Sequence, residues 1–202
     1  MGPRDEIVLP HVGPREDVPL ASSVRGTVLL SSIRGLRHHG VFERYLLLLD
    51  PAHRDTIASL TAPTWFPIEV AIAHYQACDR LELDRATIDH IAGEAGRLIN
   101  QTVLAVVAKL SKTSGMTPWF ALANGNKLIA RTWIGSSLEV RKVGPKDARL
   151  EWIQHPCARI GYYRAAFGSF AAAICGHLAQ TMYVRELPAR TETEFSYRMS
   201  WV

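Results

Sequence analysis

The chain has 202 residues, with 48% hydrophobic and 21% charged side chains, which fits one folded domain with a tail and excludes global disorder or a collagen-like or disulfide-stapled scaffold. Net charge is +4 and 18 of the 23 cationic residues are arginine, spread from Arg4 to Arg198 without clustering among aromatics, so nucleic-acid binding is not expected. The longest apolar runs, Leu46 to Leu49 and Val103 to Ala108, fall far short of the roughly 20 residues that cross a bilayer, so no membrane span is expected.

Residues 1–22 carry four prolines among charges, a composition that predicts a disordered tail whose deletion leaves the melting temperature almost unchanged. Pro3, Arg4, Asp5 and Glu6 have no apolar segment behind them and the residues after Gly2 do not fit myristoylation, so a cytoplasmic protein is expected. The tail repeats itself, Gly2-Pro3-Arg4-Asp5-Glu6 and then Gly13-Pro14-Arg15-Glu16-Asp17, either by chance or as two short docking motifs.

From Val24 the apolar spacing becomes helical, with Val28, Leu29, Ile33 and Leu36 followed by a second run from Val41 to Leu49. Asp50 and Pro51 can cap and open a short helix reaching Leu60. After the Trp65-Phe66-Pro67 break a helix is predicted over Ile68–Leu81, then a long one over Arg85–Leu110 capped by Asp84, then one from Trp119 to Ile134 opened by Pro118. The period then changes to two. Strands are predicted at Leu138–Val143 and Arg149–Ile153, a helix at Ala158–Leu178, and strands at Met182–Leu187 and Thr193–Trp201 with the turn at Pro188-Ala189-Arg190. The reading is an α+β fold: a helical N-terminal part, then a β-β-α-β-β unit with an antiparallel sheet, forming a single domain over residues 23–202.

The helix inside that unit carries two stripes. Ile160, Tyr163, Phe167, Phe170, Ile174 and His177 form a large one suited to covering the sheet. Gly161, Ala165, Gly168, Ala172 and Gly176 form a small one that admits another backbone, either from a symmetry mate or from the long helix of the same chain. These five residues are the interface candidates for a homodimer or a pairing with a related subunit.

Candidate ligand-pocket residues are Trp65, His74, Trp119, Trp133, Tyr163 and Phe167, which either plug the core or line a cavity. No paired carboxylates, Ser elbow, HExxH helix or Gly-rich phosphate loop is present, so no catalytic residue is assigned and no enzyme is expected. Cys78, Cys157 and Cys175 are read as free thiols. The pairs His155/Cys157 and Cys175/His177 lie at opposite ends of one predicted helix, on the order of 27 Å apart, too far to share a metal.

Val24-Arg25-Gly26-Thr27, Trp65-Phe66-Pro67 and Tyr197-Arg198-Met199-Ser200-Trp201 resemble an uncharacterised myxobacterial protein family, with the likeness running from about Val24 to Val202. That family is similar to the 4-vinyl-reductase domain, whose fold is shared with heme-nitric-oxide-binding domains and the small subunits of TRAPP tethering complexes. The resemblance implies a sensory or adaptor domain around an apolar pocket. Two departures bear on cofactors. Related phenol-sensing domains hold zinc with cysteines in and after the last hairpin, where this chain has Leu187 and Glu194. The heme-binding Tyr-x-Ser-x-Arg motif is not matched by Tyr162-Tyr163-Arg164-Ala165. The expectation is therefore a non-catalytic regulatory or adaptor module without cofactor or metal. It binds an unidentified protein partner, with an apolar small ligand in an internal pocket as an added feature. The alternatives are a small-molecule sensor for aromatic or acyl compounds and a heme-based gas sensor.

Overall fold

The computed structural model describes residues 6–9, 13–96 and 117–202. The helical part comprises α1 (Gly26–His38), α2 (Phe42–Leu48), α3 (Arg54–Ala58), α4 (Ile68–Asp79) and α5, helical over 85–96. Helix α4 is apolar nearly all round and is buried on most of its surface, with Ile68, Val70, Ala71, Tyr75 and Cys78 in the core. The Asp50 carboxylate accepts from the Ala52 amide, and the Asp84 carboxylate from the Thr87 amide at the entry to α5. Both caps agree with the sequence reading. The remainder of the expected Arg85–Leu110 helix lies outside the described residues.

The Trp65-Phe66-Pro67 break is a strand, β3 (Trp65–Pro67), paired antiparallel with β2 (Ser23–Arg25), which pairs in turn with β4 (Trp133–Ile134). The expected Trp119–Ile134 helix is instead α6 (Pro118–Ala123), α7 (Gly125–Ile129) and β4. Gly125, the weakest helix former in that stretch, marks the division between the two helices.

The main sheet is antiparallel in the order β1-β5-β6-β8-β7, built from β1 (Glu6–Leu9), β5 (Ser137–Gly144), β6 (Asp147–Ile153), β7 (Met182–Thr191) and β8 (Glu194–Trp201). Helix α8 (Gly161–Gly176) connects the two hairpins, as the β-β-α-β-β pattern requires. Pro188 lies within β7, and the hairpin turns at Glu192-Thr193 instead of at 188–190. An outermost strand tolerates a proline because one side of its backbone has no ladder partner. On β8, Phe195, Tyr197, Met199 and Trp201 point into the core, as their alternation predicts.

The N-terminal segment departs from the disordered tail expected for residues 1–22. Strand β1 pairs with β5, and the Ala21 and Ser22 amides donate to the Gln154 and Ile134 carbonyls. Val18 and Ala21 are buried. The physical reason is electrostatic as well as apolar. On the outer face of the sheet Glu139 and Glu151 face each other across β5 and β6 and are almost fully buried. The Arg15 guanidinium bonds to both, and also reaches Glu194 at 3.4 Å. In the next row Arg141, Arg149, Arg198 and Arg185 stand in register across four strands. Arg141 pairs with Glu139, Arg149 with Glu151 and Arg198 with Asp147.

Two positions of the small stripe of α8 are occupied by the chain itself. A side-chain carbon on Gly168 would sit 3.0 Å from the Tyr197 ring of β8, and one on Gly161 would sit 3.2 Å from Asp79 of α4. These two interface candidates face the sheet and α4, and neither is open to a symmetry mate. Gly176 faces open space, while Ala165 and Ala172 are half-buried. The competing internal account named the Arg85–Leu110 helix as the partner; its described part, α5, meets α8 where Asp89 accepts from Ser169 and Gly96 lies against Ala173, and the rest of that helix lies outside the described residues.

Candidate functional site: an apolar cavity under α8

The large stripe of α8 leaves a space between itself and the sheet. A cavity of about 150 Å³ is walled by Tyr163, Phe167, Phe170 and Ile174 of α8, Ile91 and Ala95 of α5, Leu122 of α6, Trp133 of β4, Leu138 of β5, and Leu150 and Trp152 of β6. Val28, Ser31 and Ser32 of α1 and Tyr75 of α4 close another side. None of the described wall residues is charged. An apolar cavity of about this size stays dry and takes up benzene or xenon. Rings are held edge to face around it, with Trp152 and Phe167 centroids 4.2 Å apart and Trp133 and His155 4.5 Å apart. Such packing fixes the shape of the wall.

Two histidines anchor this architecture from behind. His74 is fully buried on α4, its Nδ1 2.8 Å from Tyr45 Oη and its Nε2 2.9 Å from Ser32 Oγ. His155 is fully buried after β6, and its Nδ1 accepts from the Cys157 amide. That assigns the proton to Nε2, which donates to Tyr163 Oη at 3.1 Å. Burial depresses both imidazoles to about 3. Both rings are neutral at physiological pH, and all four ring nitrogens are engaged by protein groups.

Of the six expected pocket residues the structure brings three to the cavity: Trp133, Tyr163 and Phe167. His74 stands behind the wall and reaches it through Ser32. Trp119 lies at the end of the sheet, against Trp201 and donating to the Pro145 carbonyl. Trp65 is on β3 under the Arg25 guanidinium. The sequence reading missed Tyr162, Tyr75, Trp152 and Ser32. Ser32 carried a usable signal, since it is the polar position flanked by Leu29, Ile33 and Leu36 on the buried side of α1. The His155/Cys157 and Cys175/His177 pairs form no joint site, and the described residues contain no cluster of three potential metal ligands.

No family model matches the chain and no curated protein matches it. Solved structures do. An Fe(II) unliganded H-NOX protein from K. algicida superposes with a TM-score of 0.59 at 8% identity, covering 88% of this chain and 96% of that one. An oxygen-binding H-NOX domain related to soluble guanylate cyclases gives 0.59 at 9% identity, covering 88% and 94%. An H-NOX protein studied for heme distortion gives 0.58 at 13% identity, also covering 88% and 94%. The fold is shared with H-NOX domains. This agrees with one of the resemblances read from the sequence, and at such identities it extends to the fold alone.

The described residues of this chain do not fit a heme. No described histidine lines the cavity, and His74 and His155, the buried histidines among the described residues, have their ring nitrogens committed. Among the residues outside the described set, His11 is the one histidine, and 97–116 contain no His, Cys or Tyr. Cys175, on the wall, has its thiol pushed up to about 12 by burial, which keeps it protonated and a poor iron ligand. Burial likewise raises the Tyr75, Tyr162 and Tyr163 phenols well above their ordinary value. A space suited to one benzene-sized ring does not admit four linked pyrroles, and the described wall offers no cation for propionates. Protein incubated with hemin and desalted is expected to show no stoichiometric Soret band. A retained band that shifts on reduction and carbon monoxide addition would contradict this.

Proposed function

We propose that this chain is a non-catalytic sensor domain that takes a small apolar molecule into the cavity under α8, without heme, and passes its occupancy to a protein partner. The cavity carries the reading: a space between the helical part and the sheet whose described wall is uncharged and rich in aromatics. A space of this kind is left unfilled only at a cost in packing, roughly 1 kcal/mol or more for each methyl-sized void, which gives a ligand a gain to collect. Against catalysis stands the chemistry of the buried carboxylates. Glu139 and Glu151 are held by arginines on the opposite face of the sheet, away from the cavity. The described helices include none long and apolar enough to cross a membrane. Self-association would have to use a surface other than the line from Gly161 to Gly168.

Calorimetric titration with benzene tests the reading. Saturable binding and a rise in melting temperature with ligand concentration are expected, following the linkage of binding to stability. Ala171→Leu, which adds volume to the wall, should abolish both while leaving a cooperative melting transition. Absence of any saturable binding to the wild-type protein would overturn the proposal.

A further inference from the structure

Strand β7 is an outermost strand of the main sheet, ten residues long, with β8 as its ladder partner on one side. Thr181 and Val202 exchange both backbone hydrogen bonds just before the strand begins. Bonded and non-bonded pairs alternate along an antiparallel ladder. Tyr183, Arg185 and Leu187 therefore direct their backbone groups to β8, while Met182, Val184 and Glu186 direct theirs away from the sheet. Among the described residues no other element bonds to those outward groups. Pro188 takes the next outward position, where its missing N–H breaks no ladder bond, and it ends the open edge.

On the outer face this edge closes the row Arg141, Arg149, Arg198 and Arg185. The first three have carboxylates against them, from Glu139, Glu151 and Asp147. Arg185, exposed at the edge, has no carboxylate against it among the described residues. Tyr183 and Leu187 flank it on the same face, Tyr183 59% exposed and Leu187 half-buried.

We infer that the open edge of β7 takes an extended segment of a partner protein as an added antiparallel strand, with an acidic residue opposite Arg185 and apolar residues opposite Tyr183 and Leu187. Backbone bonds to Met182, Val184 and Glu186 supply affinity, and the side chains on the outer face supply specificity. The residue opposite Arg185 falls in a non-hydrogen-bonded pair, where side chains approach most closely. A second copy of this chain is a worse occupant. In the antiparallel registers that overlap most of the open edge, its own Arg185 stands opposite or diagonal to this one and adds a like charge to the row. Charged edge residues bar like strands in this way, and here the charge admits an acidic one. The inference rests on the sensor reading only for the existence of a protein partner, and it supplies that reading with a route. Glu186 is paired with Arg164 of α8, the helix that gives Tyr163, Phe167, Phe170 and Ile174 to the cavity wall.

The test uses the full chain without any cavity ligand and a fluorescein-labelled peptide, Thr-Val-Thr-Glu-Thr-Val-Thr, with binding read by fluorescence polarisation. The same peptide with Lys in place of Glu is expected to bind about tenfold more weakly, the difference between an opposite and a like charge across a strand pair. Arg185→Glu should reverse that order. Val184→Pro removes one outward donor and leaves the ladder to β8 in place, so it should weaken both peptides while the melting transition stays cooperative. Saturable binding of neither peptide, or a preference for the Glu peptide that survives Arg185→Glu, would overturn the inference and leave the cavity reading standing. A wild-type chain that sediments as a dimer, with the dimer lost in Val184→Pro, would give the edge to a second copy and overturn the inference as well. Absence of benzene binding with the peptide results as expected would overturn the cavity reading alone.

Discussion

Lowering the pH from 7 to 5 should cost the protein about 4 kcal/mol of stability, with two buried histidines as the source. In the folded chain His74 and His155 are depressed to about 3 by burial, against about 6.5 for an exposed imidazole. The unfolded chain therefore binds protons that the folded chain refuses. Their full contribution to stability is present above pH 6.5 and is lost progressively as the pH falls from 6.5 toward 3. At pH 5 each histidine accounts for about 2 kcal/mol, and together they should lower the melting temperature by roughly 8–16 °C for a domain of this size. Urea unfolding at the two pH values measures the effect. The variant His155→Phe fits a site ringed by Trp133, Trp152, Tyr163 and Phe195 and should halve the pH-dependent part, whatever it does to stability at pH 7. A stability that is flat from pH 7 to 5 would mean that these imidazoles are not buried in neutral form.

The second large effect is expected at the N-terminus. Glu139 and Glu151 are 1% and 3% exposed, a burial that two facing carboxylates tolerate only with cations against them. Arg141, Arg149 and Arg190 supply part of the compensation and Arg15 another part. Arg15→Ala should destabilise the fold by about 2 kcal/mol, less than for a buried pair left with no cation at all because Arg141, Arg149 and Arg190 stay in place. Deleting residues 1–22 should cost more, since β1 and the buried Val18 and Ala21 go with it. In the Glu139→Gln, Glu151→Gln background the Arg15→Ala change should cost little, the coupling expected of groups in contact. Equal melting temperatures for the full chain and the chain lacking residues 1–22 would restore the picture of an undocked tail.

The N-terminus also shows where sequence reasoning stops. Pro3, Pro10, Pro14 and Pro19 among charges have the composition of a chain that cannot bury itself, and nothing local signals that Arg15 has two carboxylates waiting about 124 and 136 residues away. Local signals performed well where the physics is local: the Asp50 and Asp84 caps, the Gly144-Pro145-Lys146-Asp147 connection, the alternation along β8. They failed where a tertiary partner overrides propensity. Ser23–Arg25 and Trp65–Pro67 are too short to show a period and become strands because they pair with each other. The cavity was half legible. Tyr163 and Phe167 fall on the large stripe of α8, and Trp133 was included as an aromatic. Tyr162, one residue off that stripe, and Trp152, on a strand, could be placed on the same wall only once α8 was laid across the sheet. Trp65 and Trp119 carry the same side chain as Trp133, but their elements take them elsewhere.

A crystal of the protein pressurised with xenon puts the central claim to its most direct test. Xenon reports apolar space without requiring any hydrogen bond, and it enters dry cavities of about this size. The account predicts a well-occupied xenon site among Trp133, Phe167 and Ile174, with the wall side chains unmoved. No xenon density there, with the ring of Phe167 or Trp152 turned in to fill the space, would show that the domain has a closed core and no ligand chamber.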